Sequence, residues 1–316
     1  MIAFGKSTAL TIGLAMLVAP AICAAQDLTP RAYFPAPEKS NLVILTYAFS
    51  DGELVFDATL PITDATGTIH TPVVSVYHAF GLFGRSANVT GSLPFAVGEL
   101  RGNVAGEDRT AIRRGLADTQ VRLAVNIVGG PALSVAEFGK TPLPRAILGA
   151  SIKVVAPTGQ YDPARLINIG ANRWGFKPEF GYTGRTGRFV IDAFAGIWLF
   201  TANESFGVSE ANPLGATRTQ DPIGAFEFHV SYDVKPRLWL SADINYWRGG
   251  RTSVNGVEGT TTLLANSRFG VTGSVPLTRR QSLKVSYSDG VIVRIGGNFK
   301  VLSVGWQYGW IGTQWR

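Results

Sequence analysis

Sulfur is nearly absent from this chain, and what there is sits at one end. The 316 residues hold one cysteine, Cys23, and two methionines, Met1 and Met16. All three fall in a stretch built like a secretory signal. Lys6 supplies the positive charge, Ser7–Ile22 is apolar and free of charge, and Cys23-Ala24-Ala25 offers the small residues a signal peptidase reads. Residues 1–25 are therefore read as a cleaved signal peptide, with the mature chain beginning at Gln26. The apolar run is short for a permanent anchor, and Ile22 is branched where a lipoprotein signal wants a small residue. Without cysteine, the mature chain has no disulfide, no thiolate metal site and no cysteine nucleophile.

Long apolar runs are also missing. After the signal, the longest stretch without Asp, Glu, Lys or Arg is Ala65–Gly84, and Thr66, Thr68, His70, Thr71, Pro72, Ser75 and His78 interrupt it. Backbone groups in hydrocarbon must bond within the protein, so a chain without a spanning helix crosses a membrane only as a closed barrel. Enzyme signatures are thin as well: the sequence has no H-E-x-x-H, no Walker loop and no G-x-S-x-G. Its three histidines, His70, His78 and His229, stand apart from one another. The formal net charge of +7 is modest and spread along the chain, which with export argues against nucleic-acid binding.

What is present is period-two alternation. In Lys300–Trp310 the residues Leu302, Val304, Trp306, Tyr308 and Trp310 share one face, and Val301, Ser303, Gly305, Gln307 and Gly309 the other. In Leu238–Trp247, Leu238, Leu240, Ala242, Ile244 and Tyr246 oppose Trp239, Ser241, Asp243 and Asn245. About twelve such segments occur, each near the length a barrel crossing needs. They are 41–50, 70–81, 86–95, 118–128, 146–156, 173–183, 188–201, 223–234, 237–248, 266–277, 281–289 and 298–310. In 70–81 and 188–201 both faces are apolar and the register is open.

Short connections (82–85, 184–187, 235–236, 278–280) alternate with long ones (51–69, 96–117, 157–172, 202–222, 249–265, 290–297). Outer-membrane barrels have short periplasmic turns and long outer loops, so both termini are expected in the periplasm. The stretch 129–145 is long where a short turn is expected, and Ser134–Phe138 within it reads as a helical turn capped by Ser134. The fold expected is an all-β, transmembrane, antiparallel up-and-down barrel of about twelve strands. It comprises a periplasmic segment at 26–40 and one barrel domain at 41–316. A soluble two-sheet protein, with its apolar faces in a core, is the alternative.

Charge in the middle of a barrel crossing belongs inside. The candidate lumen residues are Arg122, Lys153, Lys177, Glu179, Asp192, Glu227, His229, Asp243, Asn245, Arg268 and Lys284, which stand opposite the apolar faces. They can filter solutes by charge and size, or plug the lumen with their own ion pairs. His229 beside Glu227 and Asp233 reads mainly as part of a hydrated charge network, with a catalytic or metal cluster as the lesser alternative. The loop Pro157–Trp174 is a candidate constriction or rim cap, through Tyr161, Asp162, Arg165, Asn168, Asn172 and Arg173. Trp174, Trp198, Trp239, Trp247, Trp306 and Trp310 are read as interfacial girdle or packing residues, with Trp239 also able to stack an aromatic solute.

The run Pro157–Trp174 followed by Phe176–Glu179 resembles the outer-membrane transporter family named for the meta-pathway of phenol degradation. Leu60-Pro61-Ile62-Thr63, Asp221–Ala225, Asn266-Ser267-Arg268 and Arg294–Gly297 add to the likeness across most of the chain. The resemblance implies a barrel and uptake of aromatic or other hydrophobic compounds. One departure is the end, where Arg316 follows Trp315 although barrel chains commonly finish on an aromatic residue. The expected function is passive transport of small solutes across the outer membrane of a Gram-negative bacterium, without catalytic residues, metal or cofactor. The alternatives are a closed structural or adhesive barrel and, less favoured, a barrel enzyme acting on envelope lipids. Expected partners are membrane lipids and lipopolysaccharide, a small-molecule solute and the barrel assembly machinery, with no nucleic acid.

Overall fold

In a computed structural model, residues 28–56, 62–165, 167–210, 212–259 and 261–312 are described. The stretch 1–25, read from the sequence as a signal peptide, and the Trp315-Arg316 end lie outside them. In chain order come β1 (Ser40–Val55), β2 (Ile62–Leu82), β3 (Arg85–Val104), β4 (Glu107–Leu116) and β5 (Thr119–Val128). A single helical turn, α1 (Val135–Phe138), precedes β6 (Ala146–Ala156), β7 (Gly175–Thr186) and β8 (Phe189–Phe200). The short strands β9 (Asn203–Phe206) and β10 (Ala216–Gln220) lead to β11 (Ile223–Lys235) and β12 (Leu238–Gly249). After β13 (Thr252–Val254) and β14 (Val257–Glu258) the chain ends with β15 (Leu264–Pro276), β16 (Gln281–Val293) and β17 (Gly296–Ile311).

Every neighbouring pair is antiparallel, and β17 returns to β1 in unbroken register from Ser40↔Ile311 to Val55↔Gly296. That pairing leaves no edge, so the sheet is a barrel. β4 and β5 both pair with β3, at Phe95–Val104 and Ala87–Ser92 respectively; β5, which also pairs with β6, makes the crossing, and β4 runs in line with it beyond the wall. The wall therefore has twelve crossings, at the segments the alternation marks out. Along most of the wall apolar residues turn outward: Leu240 and Ile244 of β12, Phe226 and Phe228 of β11 and Leu302 of β17 are exposed. Between them Ser241, Asp243, Asn245, Glu227 and His229 are buried. A soluble sandwich would show the reverse, and an apolar belt around a polar interior is what hydrocarbon requires.

Several connections depart from the sequence reading. The stretches 51–69 and 96–117 are not open loops. β1–β2 and β3–β4 continue as ladders well beyond the barrel wall, to Glu53↔Thr66 and Val104↔Glu107. Two strands leaving the wall in register keep their hydrogen bonds until a turn stops them, and the Thr and Ile residues of β2 suit that pairing. From 202–222 and 249–265 a second, four-stranded sheet forms in the order β14-β13-β10-β9 at the long-loop end. At the other end Ser134 caps α1 in a full capping box with Glu137.

The segment 26–40 departs furthest. It reads as a periplasmic lead-in, yet residues 28–34 lie inside the barrel. Pro30, Pro35 and Pro37 keep it out of any ladder, and its side chains bond to the lumen wall instead.

Candidate functional site

Register brings the inward charges together. Arg122, Lys153 and Lys177 are direct cross-strand partners on β5, β6 and β7. Three cations abreast repel one another unless acids stand between them, and acids do. Lys177 Nζ lies 2.7 Å from Glu179 Oε2 and 2.9 Å from Glu227 Oε1, with all three side chains buried. Arg122 stands 3.6 Å from the other oxygen of Glu179.

Next along the wall, His229 on β11 sits between Asp192 of β8 and Asp243 of β12. Its Nδ1 is 2.9 Å from Asp243 Oδ1, and its Nε2 is 3.5 Å from Glu227 Oε2. Ser241 and Thr272 donate hydrogen bonds to Asp243, and Thr183 donates to Asp192. With Nδ1 bonded to Asp243, Nε2 facing the Glu227 carboxylate and no exposure, His229 is a wall residue in a charge network. Among the described residues no three His, Cys, Asp or Glu side chains are grouped to hold a metal ion. Arg268 is buried and donates to Ser288 and to the Phe299 carbonyl. Asn245 is buried beside it in register, and Lys153 and Lys284 are half-buried on inward faces, each engaged with neighbours.

The N-terminal segment completes this network. Arg31 pairs with Asp233 at 2.7 Å, and its backbone N–H donates to Asp192. Thr29 donates to Glu227. Tyr33, 1 % exposed, donates its hydroxyl to Glu179 at 3.0 Å and lies 3.0 Å from Ser151 Oγ. Its ring meets Phe194 edge-on at 5.2 Å and lies under the Arg122 guanidinium at 4.9 Å. The ring fits because Gly149 and Gly181 leave the wall bare: a Cβ on either would stand 2.1 Å from a ring carbon. An inward-facing glycine on each of two neighbouring strands is the sequence signal that could have marked this place.

Beyond the network, Val155, Trp198, Ile223, Ala225 and Trp247 form a buried apolar cluster toward the long-loop end, with Phe200 and Leu264 against it. Of the two roles expected for the tryptophans, Trp198 and Trp247 take packing rather than girdle positions, facing inward, and the Trp239 ring lies under Arg31 at 4.6 Å. Trp174 and Trp310 are exposed.

The Pro157–Trp174 loop is pinned at the interruption between β4 and β5, where Asp118 accepts the backbone N–H groups of Gly159 and Ala171. Asp162 and Arg165 pair with each other while half exposed, and Asn168 ties their backbones together. Tyr161 and Asn172 bond to β9 through Ser205 and Asn203. Arg173 turns toward the small sheet, donates to Gln220 and stacks over Phe200 at 4.4 Å. Most of the loop therefore folds on itself as a cap, and Arg173 is the candidate that reaches the mouth.

The chain is similar to the COG4313 outer membrane channel from Pseudomonas putida F1, at 20 % identity and a TM-score of 0.75, over 90 % of this chain and 100 % of that one. The KdgM porin in complex with disordered oligogalacturonate aligns over 84 % of this chain and 98 % of its own at 8 % identity, but with a TM-score of 0.46 no detail transfers. No curated protein sequence matches. Residues 53–307 match the family described as "Putative MetA-pathway of phenol degradation", and the match spans so much of the chain that the protein belongs to that family.

Proposed function

We propose that this protein is an outer-membrane channel for the passive entry of small aromatic or hydrophobic solutes. The observation that carries this reading is the seat of Tyr33. The lumen holds a flat ring between a guanidinium and a phenylalanine edge, over two bare glycines, with acceptors for a hydroxyl. A wall that receives one aromatic ring has the shape and donors to pass others once the segment withdraws. The inward charges from Arg122 to Lys284 line that path, and lipid and lipopolysaccharide surround the apolar belt. The barrel assembly machinery is the partner its topology calls for.

The test uses vesicles with lipopolysaccharide outside and phosphatidylethanolamine inside, because simple phospholipid bilayers already pass such solutes. Vesicles carrying the protein should admit p-cresol faster than empty ones, and equal rates would defeat the reading. A second reading, a closed structural barrel, is favoured by the filled lumen. It predicts no conductance in planar bilayers, either from the full chain or from a Tyr33→Ala variant that is still folded, as judged by the change in electrophoretic mobility on heating that a closed barrel should show in SDS.

A further inference from the structure

The mouth of the barrel collects hydrogen-bond donors that nothing in the wall satisfies. Arg218 on β10 is buried, its ring neighbour is Phe206 at 5.0 Å, and its Nε has no acceptor among the described residues. No carboxylate among them pairs with it. Two residues along the same face, Gln220 accepts a hydrogen bond from Arg173, so the two arginines stand side by side. Asp118 is the carboxylate whose charge acts on Arg173, and its oxygens accept the backbone N–H groups of Gly159 and Ala171 rather than a guanidinium. Burial, and then the charge of Arg218, bring Arg173 down to about 9; burial brings Arg218 down to about 10. Both guanidiniums still carry their charge at neutral pH. Below them the Trp198 ring stacks on Phe200, 6.1 Å away and 4° from parallel, and its indole N–H is buried without an acceptor. Buried donors and unpaired buried charge are costly unless an acceptor meets them.

We infer that Arg173 and Arg218 form a binding site for the carboxylate of an aromatic acid, whose ring lies against Phe200 and Trp198. Planar guanidiniums take a carboxylate in paired hydrogen bonds, and the aromatic floor accounts for the ring. The site's part in uptake rests on the channel reading above; its binding does not.

Titration calorimetry of the full detergent-solubilised chain tests it with sodium benzoate. Acetate supplies the carboxylate without the ring, toluene the ring without the carboxylate, and phosphate an anion of another shape. Benzoate should bind about tenfold or more tighter than toluene, the worth of a charge-assisted hydrogen bond, and by about as much over acetate and phosphate, which leave the aromatic floor uncovered. Arg218→Gln should weaken benzoate by a similar factor, and Trp198→Phe, which keeps the stack and removes the N–H, by less. Should Arg218→Gln lose its heat-sensitive shift, Arg173→Gln takes its place. Equal binding of acetate or phosphate, or benzoate binding unchanged in the arginine variants, would overturn the site. Benzoate binding without faster p-cresol entry into the vesicles would remove the channel reading and leave the site. Faster entry without benzoate binding would do the opposite.

Discussion

The middle of the lumen and its mouth solve the problem of buried charge in opposite ways. In the middle, cations and acids alternate: Lys177 bridges Glu179 and Glu227, Arg31 meets Asp233, and His229 lies between Glu227 and Asp243. At the mouth, Arg173 and Arg218 stand together, and the carboxylate that acts on Arg173, Asp118, is engaged with loop backbone instead. A region whose charges answer one another is a structural joint and resists change. A region with cations left over holds its donors for something that arrives. The boundary between the two is the apolar cluster around Trp198 and Trp247.

The most damaging way to break the joint is to remove its central cation. Lys177→Ala removes the cation that bridges Glu179 and Glu227, leaving as counter-charges only the longer contacts to Arg122 and His229, and should cost about 3–5 kcal/mol. The loss would appear as a lower guanidinium midpoint for the heat-sensitive band. Tyr33→Ala comes next, because it empties the glycine-floored seat and releases the segment that fills the barrel. Single-channel conductance should rise several-fold while the wall stays folded. Gly181→Ala approaches the same outcome from the wall side by pushing a methyl into the Tyr33 ring, at about 1–3 kcal/mol of overpacking. If it raises conductance as Tyr33→Ala does, the seat rather than the phenol hydroxyl holds the segment.

The smallest effect lies outside the barrel. Ser134 holds the Glu137 carboxylate below its ordinary range through its hydroxyl and its backbone N–H. A carboxyl lowered by folding stabilises above its unfolded pKa, and that contribution is lost as pH falls through the lowered value. Protection against hydrogen exchange in 129–145, measured relative to the intrinsic rate at each pH, should therefore fall in acid, and Ser134→Ala should erase that dependence without altering conductance.

Much of the wall was legible because period two is a strong signal. In β12 the apolar and polar faces separate residue by residue, and the structure keeps that division. The same rule outranks residue type. Trp247 shares the parity of Asp243 and Asn245, and Trp198 that of Asp192, so both point inward although tryptophan suggests a membrane interface. The Tyr33 segment was not legible. It has three prolines, no periodicity and no partner nearby in sequence: its bonds reach Ser151, Glu179 and Asp192, more than a hundred residues away. Arg218 was hidden for a related reason, since 202–222 reads as loop and only the pairing of β10 with β9 and β13 fixes which way its side chain points.

Thr29 bonds to Glu227 deep in the barrel, while β1 begins at Ser40 on the rim. Anything fused directly ahead of Leu28 would start its path inside the protein. An affinity tag or fluorescent label there would have to be housed by the lumen or drag the segment out. Labelling work on this protein should therefore use the tip of the β3–β4 hairpin at Ala105-Gly106, which stands clear of the wall.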